Sequence, residues 1–418
     1  MRIAINLQPL GGHNKTGIFR VADHLTCGMS EKFKDSLHCH INGDAYGAWC
    51  YFNDFLRTNK SNILVSPLFK LLLPFAAFFE KFITGTLSNR KLSYRITRKL
   101  FTILKVQLDA IIGCVPSKKW DEIDIYHSLL VSIPKDVRGK NILCFSTIYD
   151  LIPLTHPQYF EKNTVSKITN IVNELSPEDY VLCISEATRN DLIKHSRCRP
   201  ERCFVAHLAA SKSFYPSLDL NHNLSVLSKY GIPGPDFMLS LCTFEIRKNI
   251  ESTIRAFAVL HENKMIPEGT KLVLVGGKGW KTNNIEEALK SVAAYRQNII
   301  MPGFIPDEDL AAIYSSAKVF VYLSLLEGFG LPPLEAMQCG TPVISSNTSS
   351  LPEVIGDGGI MLEPMDIQGV CNEVARLYSD PEFHAKISGK ALERSKLFSW
   401  ERCVDQTIAA YETALKSE

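Results

Sequence analysis

No stretch of this 418-residue chain reaches the roughly 18 to 20 uncharged apolar residues of a membrane-spanning helix, so a helical span is excluded. Charge of one sign is also missing. The 46 Lys and Arg against 44 Asp and Glu leave a formal charge of +2, and no overall field points to nucleic acid as a partner. The 12 cysteines, scattered from Cys27 to Cys403, contain no C-x-x-C pair, and the closest two, Cys198 and Cys203, have no paired histidines at ligand spacing. They read as small buried hydrophobes in a reducing, cytoplasmic setting rather than as a zinc framework. The opening "MRIAINLQPL" lacks the charged and apolar regions of a signal peptide and alternates like a buried strand. No period of about 20 to 50 residues suggests a solenoid or propeller.

What is present is alternation. Short β-rich runs are separated by helical patterns throughout, the layout of a parallel sheet covered by helices. The C-terminal half shows it best, with strands expected at "FMLSLCT" (237–243), "KLVLVGG" (271–277), "NIIMPGF" (298–304), "KVFVYLS" (318–324) and "TPVISS" (341–346). The first half repeats the style in "RIAINL", "DIYHSLL", "NILCFSTIYD" and "YVLCISEATRNDLIKH". Between them a polar stretch rich in Pro and Gly, 211–236, suits a linker. The expected fold is α/β, with two doubly wound domains facing each other across a cleft.

From Lys60 to Lys105 there are nine Lys or Arg residues against one acid, Glu80, interleaved with apolar runs such as "LFKLLLPFAAFFEKFI". A pair of helices packed on the first sheet is one reading. A basic amphipathic surface resting on anionic lipid is the other, because apolar burial and cation attraction add there.

The chemistry concentrates in "LLEGFGLPPLEAMQCGTPVISS", Leu325 to Ser346. A buried strand ends, Gly328-Phe329-Gly330 permits close backbone approach, and Pro332 or Pro333 suits the first turn of a helix that Gly340 closes. Free N–H groups at such a helix start bind anions. Glu335, one turn in, can accept two ribose hydroxyls. Glu327, at the strand end, faces the crevice where open α/β sheets bind ligands.

These residues resemble the family 4 retaining glycosyltransferases, whose E-x7-E motif corresponds to Glu327 and Glu335. "TFEIRKN" (243–249), "MPGFIPDEDLAAIYSSAKVFV" (301–321) and "VIGDGGIMLEP" (354–364) resemble the family in the same order, and the likeness covers roughly 147–400 well and 1–30 loosely. It implies the GT-B architecture. The N-terminal Rossmann-like domain (1–212) would bind the acceptor, followed by a linker (213–236) and a nucleotide-sugar-binding Rossmann-like domain (237–395), with the helix of 396–418 packing back towards the first domain.

The resemblance also implies roles. Arg247 and Lys248 would hold the donor diphosphate and neutralise the leaving group. Glu335 would bind the ribose, and Glu327 would face the donor sugar. Backbone groups of Gly328, Phe329, Gly330 and Leu331 would contact sugar and phosphate, and those of Phe304 and Ile305 the base. Gly17 would let the N-terminal loop approach the diphosphate, and Asp150 would be the polar residue on the acceptor side.

Departures from the family pattern are visible. Cys242-Thr243 and Glu245-Ile246 stand where Gly-Thr and Glu-Pro are common, and Tyr149 stands where many members place a histidine. His127 is a nearby candidate, with a satisfied structural histidine as the favoured reading. Asp307 and Asp309, though spaced like a metal-binding D-x-D, are read as helix-start residues.

The expected activity is retaining, metal-independent transfer of a hexosyl group from a GDP-, UDP- or dTDP-linked sugar to a glycan or lipid-linked acceptor in surface polysaccharide assembly. No cofactor and no nucleic acid are expected. An epimerase acting on nucleotide sugars, or a non-catalytic subunit that binds them, are the competing readings.

Overall fold

The computed structural model describes residues 1–10, 17–41, 44–56, 61–85, 92–129, 131–277, 279 and 283–417. Two parallel sheets organise them. The first runs through β1 (Ile3–Asn6), β2 (Leu37–His40), β3 (Asn62–Leu64), β4 (Ile125–Leu129), β5 (Leu143–Ile148), β6 (Tyr180–Cys183) and β7 (Cys203–Val205), in the spatial order β3-β2-β1-β4-β5-β6-β7. The second runs through β8 (Phe237–Leu241), β9 (Leu272–Val275), β10 (Ile299–Gly303), β11 (Ala317–Tyr322), β12 (Val343–Ser346) and β13 (Ile360–Leu362), in the order β10-β9-β8-β11-β12-β13.

Both orders are the doubly wound pattern in which the chain starts at the middle and reverses direction. The reversal falls between β1 and β4 in the first sheet and between β8 and β11 in the second. Central strands such as β1, β6 and β9 are buried along their whole length, as parallel strands covered on both faces must be. The two-domain α/β expectation is met.

Four strands escape a reading of the chain: β2, β3, β7 and β13. Each is three or four residues long. β2 also carries His38 and His40, an unusual content for a buried strand. The fold absorbs His40 by hydrogen-bonding its ring to the Tyr126 hydroxyl at 2.9 Å and the Gly113 carbonyl at 3.0 Å.

The stretch expected to be a linker is not wholly irregular. A helix, Leu220–Lys229, starts on Asp219, whose carboxylate accepts from the His222 N–H. Lys229 then pairs with Asp309 at 2.7 Å, docking this helix on the C-terminal domain. The final helix, Trp400–Ser417, crosses to the N-terminal sheet. Trp400 stacks on His24 with ring centroids 4.4 Å apart, and the Tyr411 hydroxyl meets the His127 ring 2.5 Å away.

The basic segment folds as two helices, Phe69–Gly85 and Leu92–Gly113, packed on each other; Lys60 and residues 86–91 lie outside the described residues. One cation among the described residues of this segment is largely covered. Lys105 sits among Asp44, Glu80 and Asp109 at 3.1, 3.2 and 3.0 Å, tying the second helix to its surroundings. These helices expose apolar side chains beside cations: Leu71, Phe75, Phe78 and Val106 are more than half-exposed and Ile103 nearly so, with Lys70, Lys81 and Lys99 exposed as well.

Glycine is indispensable where the C-terminal sheet meets its loops. Gly276 follows β9 at φ +139°, and a Cβ there would collide with the Cys242 carbonyl; Gly277 has neither problem. Gly276→Ala should therefore cost about 2 to 4 kcal/mol of stability and Gly277→Ala well under about 1. Denaturant unfolding of both variants checks this, and equal losses would refute it.

Candidate active site

The second sheet's reversal point builds the site. The chain leaves β8 into Cys242–Asn249 and leaves β11 into Leu323–Gly330, and because these strands are neighbours the two exits face each other. That adjacency brings Arg247 and Lys248 to Glu327. The Lys248 ammonium lies 2.6 Å from one Glu327 oxygen and the Arg247 guanidinium 3.3 Å from the other. The Tyr322 hydroxyl donates to the same carboxylate at 2.6 Å, and Glu245 holds Arg247 from behind at 3.1 Å.

Glu327 is only 8% exposed. Burial alone would push its carboxyl up, but Lys248 and then Arg247 outweigh that and hold it down at about 2, so it is ionised at any working pH. Arg247 is likewise driven up: burial opposes its charge, while Glu327 and Glu245 favour it more. Two cations are thus matched by two glutamates. The group is close to neutral before any anion arrives, with its cations held in fixed positions.

The loop carrying Glu327 is pinned by hydroxyls. Ser350 donates to the carbonyls of Glu327 at 3.0 Å and Phe329 at 2.8 Å, and the Glu327 N–H donates to Ser349 at 2.9 Å. Phe329 is buried between His207 and Phe398. Gly330, at φ +117°, then turns the chain into the helix Leu331–Gln338. Pro332 and Pro333 lack N–H groups, so the donors left at this helix start are those around Phe329 to Leu331.

Glu335 lies in that helix, 5% exposed, accepting from the Tyr314 hydroxyl at 3.0 Å. Its environment is the opposite of that around Glu327. Burial pushes its carboxyl up to about 7, with Arg20 and the Tyr314 hydroxyl resisting and Asp307 adding to the rise. Two carboxylates eight positions apart therefore have separate electrostatic characters.

The first domain closes over these groups. Ser185 donates to the Gly328 carbonyl at 2.7 Å, and Glu353 accepts from the Glu186 and Ala187 N–H groups at 2.8 and 3.2 Å, capping a helix of the other domain. A Cβ on Gly328 would lie 2.6 Å from the Tyr149 carbonyl, so only glycine allows the two domains to meet there. Asp150 is brought close by the same contact. Its carboxylate accepts from the Ile152 N–H at 3.0 Å, and burial raises its pKa against the pull of Arg247.

Between the domains is a cavity of about 440 Å³, lined by Asp150, Arg247, Lys248, Phe304, Ile305, Glu327, Gly328, Phe329, Gly330, Leu331 and Glu335. All the residues singled out in the chain therefore converge except Gly17, which opens the helix Gly17–Phe33; the loop before it lies outside the described residues. Phe304 stands at the rim, 73% exposed, while Ile305 is buried. The volume suits a ligand of nucleotide size.

The structure also places His127, Tyr149 and the Asp307 and Asp309 pair. His127 is fully buried between the Tyr411 hydroxyl and Thr147, with burial pushing its pKa to about 3, and is structural. Tyr149 contributes its carbonyl to the domain contact; its buried hydroxyl, which has no hydrogen-bond partner among the described residues, is near Cys403 of the last helix. Asp307 and Asp309 do start the helix Asp307–Ser316, but they diverge: Asp307 meets Arg20 at 2.5 Å, and Asp309 meets Lys229 and Tyr230. Among the described residues no group of three His, Cys, Asp or Glu side chains is arranged to hold a metal ion.

Several lining or supporting residues are not legible in the chain: Arg20, Ser185, Tyr314, Tyr322 and Glu353. Only Arg20 leaves a trace, three positions after Gly17 in "KTGIFR". The others are ordinary residues whose partners come from distant parts of the chain.

Comparison with known proteins agrees with this geometry. The family described as "Glycosyl transferases group 1" matches residues 227–394. O-antigen chain mannosyltransferase B of Escherichia coli is 33% identical over 273 residues, 64% of this chain and 69% of that protein. Serotype-specific mannosyltransferase WbdA of Escherichia coli is 32% identical over 304 residues, 69% of this chain but only 36% of WbdA. Among solved structures, HepE of Anabaena in complex with UDP aligns with a TM-score of 0.65 at 16% identity, over 99% of this chain and 100% of that one, a likeness of fold.

The raised Glu335 carboxyl makes stability depend on pH. In the unfolded chain it titrates near its ordinary value; folded, at about 7, so the stabilisation from its protonation is present below the unfolded value and lost as pH rises through 7. Glu335→Gln should therefore raise the melting temperature of the ligand-free protein at pH 8 and change it little at pH 5. Equal shifts at both pH values would show that the carboxyl is not raised.

Proposed function

This chain belongs to the group 1 glycosyl transferases, and from that premise we propose that it is a family 4 retaining enzyme. It moves a hexosyl group from a nucleotide-diphosphate sugar to a hydroxyl of a glycan or lipid-linked acceptor, in surface polysaccharide or glycoconjugate assembly. The observation that carries the reading is the convergence of Arg247, Lys248 and Glu327 at the sheet reversal, with Glu335 across the same cavity. The names of the two Escherichia coli relatives make a mannosyl donor the first to test.

In this reading the diphosphate lies against Arg247, Lys248 and the N–H groups of Phe329 to Leu331. Its ribose hydroxyls donate to Glu335. As the bond from the sugar's anomeric carbon to the phosphate oxygen breaks, the leaving diphosphate gains charge that the two cations stabilise. The acceptor oxygen forms its bond on the same face, and its proton passes to the departing phosphate oxygen. Neither a side-chain nucleophile nor a metal ion is required.

Glu327 does more in this geometry than face the sugar. It holds both cations in place while its negative charge opposes positive charge developing at the anomeric carbon. Asp150, at the junction with the acceptor-side domain, borders the place where the acceptor hydroxyl would enter.

Steady-state kinetics with a donor chosen by a thermal-shift panel of UDP, GDP and dTDP tests the assignment. Glu335→Ala should chiefly raise donor KM, because a ribose contact is made before and during reaction. Glu327→Ala should lower kcat by about a hundredfold, and Arg247→Ala should do both. Saturating EDTA should leave turnover within about twofold, since the cations are side chains. Near wild-type kcat in Glu327→Ala, or a loss restored by Mn²⁺, would overturn the corresponding part.

The pair of helices Phe69–Gly85 and Leu92–Gly113 is proposed to rest on the cytoplasmic leaflet that would carry a lipid-linked acceptor. No helix among the described residues is long and apolar enough to cross a membrane. Exposed Leu71, Phe75 and Val106 support the apolar share of such binding, and Lys105, engaged by three acids, contributes no free charge. Co-sedimentation with anionic vesicles should persist in part at high salt and fall with Leu71→Ser/Phe75→Ser. Absence of binding to either anionic or neutral vesicles would refute it.

A further inference from the structure

Resting on the reading of Glu335 as the ribose-holding carboxylate, we infer that Arg20 is a positioning residue that completes the nucleotide subsite from the opposite domain. It reaches across the cleft to Glu335 and favours the ionised, hydroxyl-accepting form of that carboxylate on which donor binding depends.

Arg20 sits in the first turn of the helix Gly17–Phe33 and lines the cavity. Its guanidinium reaches across the cleft with one arm 2.5 Å from Asp307 and the other 3.7 Å from Glu335. A planar fork suits this division. The outer arm is anchored by the more exposed Asp307, which aims the inner arm at the buried Glu335.

The other groups facing Glu335 do not supply positive charge. Tyr314 offers a neutral hydroxyl, Asp307 is an acid, and Cys339, just past the end of the helix that carries Glu335, has a thiol. Among the described residues near it, Arg20 provides the positive charge. A buried carboxylate without a cation takes up a proton from solvent. Protonated, it has one oxygen committed as a donor and accepts more weakly from the ribose hydroxyls.

Arg20 and Glu335 belong to different domains, so the cation that favours the ionised Glu335 is supplied from across the cleft. Burial already places the Glu335 carboxyl near 7 with Arg20 present.

The test is calorimetric titration of the full chain with UDP, GDP and dTDP, the tightest binder then being followed from pH 6 to 9. Wild type, Arg20→Ala, Arg20→Lys and Glu335→Gln are compared. In Arg20→Ala, affinity at pH 7 should fall by about fivefold and return as pH rises, because an upward shift of about one unit from a midpoint near 7 cuts the ionised fraction from about a half to about a tenth. Arg20→Lys, which keeps the charge without the fork, should have an intermediate midpoint. Donor KM should rise in Arg20→Ala while kcat at saturating donor changes little. If Glu335→Gln weakens binding but Arg20→Ala and Arg20→Lys keep the wild-type pH midpoint, the inference about Arg20 fails. If Glu335→Gln binds as tightly as wild type, the ribose reading itself fails.

Discussion

The site depends on one buried arrangement: a glutamate held between a lysine and an arginine where the second sheet reverses direction. Glu327, Lys248 and Arg247 could not be buried singly, since an unpaired charge in such a place would cost several kcal/mol. Together, with Tyr322 and Glu245 completing their contacts, they satisfy one another. The positions of β8 and β11, the hydroxyls of Ser349 and Ser350, and the glycine-bearing turn all serve to keep these charges in register.

A consequence is that the cations are preorganised rather than free. A bare Arg-Lys pair would bind a diphosphate strongly but would also move to do so, and reorganisation during reaction reduces its effect on the barrier. Anchored to Glu327, the pair can respond to charge that develops on a leaving group without first being gathered. The other glutamate works differently: Glu335 is buried with little compensation of its own and depends on Arg20 from across the cleft.

Closure is where these two halves meet. Ser185 on the Gly328 carbonyl, Glu353 on a helix start and Arg20 on Asp307 form contacts spread along the cleft, each made by a polar group from one domain and a backbone or charged group from the other. Such contacts are exchangeable for water, as contacts between domains that open and close need to be. The last helix, packed on the first domain through Trp400 and Tyr411, ties the two ends of the chain to the same body.

The chain by itself determined much of this. Strand-and-helix alternation gave the α/β class and two domains, because burial on both faces of a parallel sheet demands continuous apolar runs such as "KVFVYLS". Glu327, Gly328 to Leu331 and Glu335 were legible from a glycine turn between a strand end and a helix start, whereas Arg247 and Lys248 were legible only through the family resemblance. The short strands β2, β3, β7 and β13 were not, since three or four residues carry too little periodicity. Nor was the separation of the two glutamates into one held at about 2 and one raised to about 7, which depends on which cations lie within a few ångströms. Arg20 and the partner of Asp307 belong to the same class. They are set by contacts between segments far apart in the chain, and local pattern holds no record of a distance across a cleft.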